Sequence, residues 1–123
     1  MATVQGERAI SVDAGADLSS HQFKFMILSS GRLALSGDGG DAIGVLSDNP
    51  AAAGRPGRLV VGGVTKVIAG DTVSEDANVM SNGTGLAITA AGAGKYVIAK
   101  AMEDAVVNQV FKVLLMSSYP IET

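Results

Sequence analysis

Ala69-Gly70-Asp71-Thr72-Val73 follows the β-prone stretch Val64-Thr65-Lys66-Val67-Ile68, and 55 residues earlier Ala14-Gly15-Ala16-Asp17-Leu18 follows another such stretch, Ala9 to Val12. Each copy precedes a further strand ending in a glycine turn, so the order of elements is shared as well as their composition. The correspondence continues with Leu33-Ala34-Leu35-Ser36 against Leu86-Ala87-Ile88-Thr89, then Ile43-Gly44-Val45-Leu46 against Ile98-Ala99-Lys100-Ala101-Met102, then Leu59-Val60-Val61 against Lys112-Val113-Leu114. Two copies of this length are too few for a solenoid. The alternative to duplication is chance alignment of short Val- and Ala-rich strands. Duplication implies an all-β fold, a small β-sandwich or barrel (β-tulip-like) with a pseudo-two-fold repeat, in which each half covers the other's apolar face.

Outward from the repeat, ten strands are expected: Ala9–Val12, Phe23–Leu28, Leu33–Leu35, Ala42–Leu46, Arg58–Val61, Val64–Ile68, Asn78–Met80, Leu86–Thr89, Tyr96–Met102 and Val110–Met116. In Phe23-Lys24-Phe25-Met26-Ile27 the odd positions form one apolar face, a period of two. Val110-Phe111-Lys112-Val113-Leu114-Leu115-Met116 is apolar on both faces apart from Lys112, as suits a central strand or one whose outer face meets another chain. Ser29-Ser30-Gly31, Asp38-Gly39-Gly40-Asp41, Ser81-Asn82-Gly83 and Gly92-Ala93-Gly94-Lys95 read as hairpin turns. Pro50 to Gly57 reads as a loop. Lys100 to Val110 is the sole candidate for a short helix. The chain divides into an arm, residues 1–8, and a single β domain, 9–123, with halves near 9–62 and 63–117.

Composition excludes several functions. Nine basic residues against twelve acidic ones give a net charge of −3 with no basic cluster, so nucleic acid is not an expected partner. The absence of cysteine removes disulfides, thiolate metal sites and thiol nucleophiles. The apolar runs are too short to span a membrane. The N-terminus lacks a signal-peptide pattern, so a cytosolic product is the simplest expectation.

Catalysis finds little to work with. His21 is the single histidine, it precedes a strand, and no GxSxG elbow accompanies it. The stretch from Ser36 to Asp41 lacks the ligand number of a calcium loop. Gly92 to Lys95 leads into a strand, where a phosphate loop needs a helix. Glu75-Asp76 and Glu103-Asp104 are neighbours that point to opposite faces if extended, and read as solvated loop charges. Lys100-Ala101-Met102 does not fit the AMKM-like hairpin of biotinyl and lipoyl carriers. No catalytic residue, cofactor, metal or small-molecule substrate is expected.

The order of Ala14-Gly15, Ala42-Ile43-Gly44-Val45, Gly62-Gly63-Val64, Ala69-Gly70-Asp71, Asp76 to Gly83 and Ile98-Ala99-Lys100-Ala101 resembles the tailed-phage head decoration, or capsid cement, proteins. The resemblance spans nearly the whole chain and is densest from Ile43 to Met102. It implies a non-enzymatic virion protein, made in the host cytoplasm, that binds the major capsid protein on the outer surface of the mature head, commonly as a homotrimer. A fibre or adhesin module is the alternative. Two surfaces and one loop suit the decoration role. The arm, with Ala2, Thr3, Val4, Gln5, Gly6 and Arg8, would add as a strand to a capsid sheet edge, or is a frayed terminus. Arg55 and Arg58, flanking Pro56-Gly57, would meet acidic capsid groups, or are solvated loop arginines. Phe111, Leu115, Met116, Tyr119 and Ile121 either close the sandwich or meet neighbouring protomers.

Overall fold

The computed structural model describes residues 8–121. Nine strands are present: β1 Arg8–Asp13, β2 Phe25–Ser29, β3 Arg32–Leu35, β4 Gly44–Leu46, β5 Pro56–Ile68, β6 Asn78–Ser81, β7 Ala87–Thr89, β8 Tyr96–Ala101 and β9 Val110–Pro120. All pairings between strands are antiparallel, in the order β3-β2-β4-β5-β9-β8-β6-β7 with β1 also on β5. The sheet curls into a half-barrel. The fold is all-β, and there is no helix among the described residues.

The repeat recurs in the backbone hydrogen bonds. Ala14 N–H donates to the Arg55 carbonyl as Ala69 N–H donates to that of Gln109, each at 2.8 Å. Leu18 N–H donates to Pro50 as Val73 N–H does to Ala105, each at 2.9 Å. Gly15 N–H reaches the Leu33 carbonyl at 2.9 Å and Gly70 N–H that of Ala87 at 2.7 Å. Leu33 therefore corresponds to Ala87, one residue beyond Leu86, because the β6–β7 connection is longer than the tight Ser30-Gly31 turn. That turn has φ of 52° and 77°, the two left-handed residues of a type I′ hairpin. Phe23 also recurs. Its φ of 67° is costly for an aromatic residue, but its N–H donates to Leu46 at 2.7 Å and its carbonyl accepts from Ile68 at 3.0 Å. Asp76, at φ 72°, makes the counterpart bond to Ala101 at 2.8 Å.

Several expectations need correction. The two strands expected at 58–61 and 64–68 are one 13-residue strand, β5, continuous through Gly62-Gly63. The 50–57 loop therefore ends at Arg55, before the strand begins at Pro56. Lys100 to Val110 is not helical: Lys100 and Ala101 end β8, Ala105 bridges to Val73, and Asn108 is left-handed at φ 68°. Neither Asp38 to Asp41 nor Gly92 to Lys95 turns a hairpin. The strands that each joins pair with other neighbours, β3 with β2 and β7 with β6.

Burial is unequal between the halves. One core cluster, with Ala14, Leu18, Met26, Leu33, Leu46 and Leu59, belongs to the first half. The larger one gathers Val67, Val79, Ile98, Phe111 and Val113 of the second half, and also takes Phe25 and Val45 from the first. Met26 and Phe25, adjacent on β2, thus fill different cores, so this strand is covered on both faces.

Candidate functional site

Arg8 opens β1 opposite Gly62, where a β-carbon on the glycine would strike the arginine side chain. Arg8 lines an open groove with Asp41, Ile43, Leu115, Ser117 and Ser118. Ala2, Thr3, Val4, Gln5 and Gly6 lie outside the described residues. Arg55 is exposed in its loop, whereas Arg58 is a strand residue of β5. The Arg58 guanidinium donates to Ser47 Oγ at 3.0 Å, and the Arg58 backbone N–H donates to Asp48 Oδ1 at 3.0 Å. Its side chain is thus engaged in tying β5 to the residues after β4, and it is not the loop arginine that the sequence suggests.

The apolar C-terminal residues separate by strand alternation. Phe111 is 1% exposed and fills the core, so its ring is spent within the chain and is not open to a neighbour. Leu115 packs against the same core from a half-buried position. Met116 and Ile121 are half-buried and Tyr119 is exposed. Pointing the other way, Val110 and Leu114 remain open. The chain bulges here, because β8 and β9 lose register between Val97 and Ala99.

The loop carboxylates prove less idle than expected. Asp104 Oδ1 accepts the Glu75 amide at 2.7 Å, Glu103 Oε2 accepts the Lys112 amide at 2.9 Å, and Asp76 lies 3.4 Å from Lys100 Nζ. These are ties between connecting loops and strands, invisible to a pattern search because the partners are distant in sequence. His21 Nδ1 lies 3.0 Å from Lys24 Nζ. Burial, then the neighbouring ammonium, holds its pKa below the ordinary histidine value. A neutral ring accepting from a lysine is a local structural contact. No group of three His, Cys, Asp or Glu among the described residues could hold a metal ion.

The site is therefore a set of open surfaces around the ends of β1 and β9 and the outer face of the second half. Residues 4–116 match the family described as phage cement protein. Among solved structures, the chain is similar to the head fiber gp8.5 N base of bacteriophage phi29, with a TM-score of 0.72 and 15% identity over 95% of this chain and 99% of that one. That likeness concerns the fold. No curated protein matches the sequence at a significant level.

Proposed function

Because the chain belongs to the phage cement protein family, we propose that it binds the outer surface of the mature, expanded head, contacts the major capsid protein and stabilises the shell. The supporting observation is a family match running from residue 4 to residue 116, through β1 to β8 and into β9 as far as Met116. The role is mechanical and non-enzymatic. Maturation thins the shell and packaged DNA strains it, so a protein bridging subunits adds interface at many equivalent nodes, which act together at high effective concentration.

Self-association as a homotrimer and strand addition by residues 2–6 belong to the same reading; Arg8, expected in the arm but paired with Gly62 in β1, would add a side-chain contact at its base. Tyr119, 44% exposed, is the C-terminal aromatic open to a neighbouring copy. A fibre-base role is the second reading, favoured by the fold shared with the head fiber base of phi29.

Co-sedimentation of the full chain with undecorated expanded heads and with unexpanded procapsids tests the proposal. Saturable binding to expanded heads alone is the expected result. Absence of binding to either particle would overturn decoration and leave the fibre reading.

A further inference from the structure

Residues directly paired across an antiparallel sheet present their side chains on one face, so the ladder registers define rows. In the first half one row runs Ala9, Val60, Val45, Phe25 across β1, β5, β4 and β2. Its counterpart in the second half runs Val64, Leu114, Lys100, Asn78 across β5, β9, β8 and β6. Val60, Val45 and Phe25 are each 0% exposed, whereas Leu114 is 41% exposed. The Lys100 side chain is likewise 41% exposed. Ala9 is exposed and Val64 half-buried, but at the other three positions the face that the fold packs away in one half is open in the other.

The open face carries a distinctive charge arrangement. Lys66 stands directly opposite Lys112, and the row beyond pairs Ile68 with Val110. Like charges placed opposite each other weaken a sheet. Lys100 has Asp76 as a partner, but the ammonium groups of Lys66 and Lys112 have no hydrogen-bond or ion-pair partner among the described residues. The Glu103 carboxylate accepts the Lys112 backbone amide, and Glu75 and Asp76 line the depression that Leu114 shares with Lys100. Among the described residues, the positive charge left without a carboxylate partner on this face therefore lies at Lys66 and Lys112. Three of the five lysines of an acidic chain thus surround Leu114 and Val110.

We propose that this face, centred on Leu114 and framed by Lys66, Lys100 and Lys112, docks on an acidic surface of the capsid shell; the proposal rests on the decoration reading above. Leu114 and Val110 supply an apolar centre that water leaves on contact, and the lysines set orientation and speed encounter. The partner is acidic because an apolar one would strip water from the ammonium groups without supplying counter-charge. A second copy docking through the same face would set lysines against lysines, since a two-fold contact is self-complementary.

The test titrates expanded heads with the full chain, with Lys66→Glu/Lys112→Glu, with the neutral Lys66→Gln/Lys112→Gln, and with Arg32→Glu as a charge reversal on another strand. Thermal unfolding verifies that each variant folds; the glutamine pair serves if the glutamate pair does not. The double variants are expected to lose roughly tenfold or more in affinity, and wild-type binding to weaken with salt more steeply than theirs. Arg32→Glu is expected to bind as wild type does. Wild-type and double variants binding equally tightly would overturn this face while leaving decoration intact. Absence of binding by the wild type would remove both. A double variant with an altered oligomeric state by light scattering would assign the face to contacts between copies and overturn the proposal.

Discussion

The Lys95 ammonium meets the Asp38 carboxylate across 57 residues of chain, joining the β3–β4 connection to the turn that precedes β8. Around that contact Gly39 N–H donates to the Ser81 carbonyl at 2.7 Å, and Tyr96 N–H donates to the Gly39 carbonyl at 3.0 Å. The glycine-rich loop of the first half is thus clasped by the second. Both charged groups are substantially exposed, with side chains 35% and 53% accessible, so solvent screening limits their contribution. Asp38→Asn is expected to cost below about 1 kcal/mol. Gly39→Ala is expected to cost more, roughly 1–3 kcal/mol, because the residue sits at φ 65° and a β-carbon would fall on the Lys95 stem. Urea midpoints of the two variants compare backbone clasp with ion pair; equal losses would contradict this ranking.

Gly44 makes a sharper case in β4. A β-carbon there would collide with the Val60 carbonyl oxygen and come within 3.0 Å of Leu59 Cγ. The first obstacle is backbone and cannot rotate away. Gly44→Ala is expected to destabilise the fold by about 1–3 kcal/mol, read as a lowered thermal midpoint. An unchanged midpoint would mean that β4 and β5 separate without penalty.

Phe111 and Val110 are neighbours with opposite fates, one buried at 1% and the other 42% exposed. Phe111→Ala is expected to cost about 3–5 kcal/mol, a large share of the stability of a domain this size. Val110→Thr, a near-isosteric change at an open position, is expected to stay within about 0.5 kcal/mol. Denaturant unfolding of the pair tests which face of β9 is core, and a reversed order would invert that assignment.

His21 predicts a pH dependence with a definite sign. Its pKa is lowered in the folded chain from an ordinary value of 6.5, by burial first and by Lys24 second. The unfolded chain therefore takes up the proton more readily. The contribution of the neutral ring is fully present above pH 6.5 and is lost as pH falls from there through the lowered folded value. Asp17 acts further down. Its pKa is lowered from 3.8 by hydrogen bonding to Ser19, so its contribution is present above that value and lost as pH falls through the folded one. Urea midpoints between pH 7.5 and 5 should decline in the wild type and flatten in His21→Gln; parallel curves would remove His21 as the source.

Much of the fold is legible locally. The Ser30-Gly31 turn, the Ala-Gly turns at 14 and 69 and the alternation in Val110 to Met116 each depend on φ preferences and a two-residue period within a few neighbouring residues. They suffice to announce short strands and two similar halves. The break expected at Gly62-Gly63 reflects the weak strand propensity of glycine, which ladder pairing to β1 and β9 overrides. The candidate surfaces are less legible. Arg55 and Arg58 look alike in sequence, yet Arg58 is held by Ser47 and Asp48. Lys112 is visible as a lone charge in an apolar run, but nothing local places Lys66 opposite it.

The sequence by itself determined the strand-and-turn grammar and the recurrence of its elements in two halves, because turn chemistry and alternation act over a few residues. Only the tertiary structure decided which of two equivalent sheet faces is buried. Phe25, Val45 and Val60 vanish into the molecule while Asn78, Lys100 and Leu114 stay open, since burial depends on how one half docks on the other, and that is a long-range packing outcome which a repeated local pattern leaves undecided.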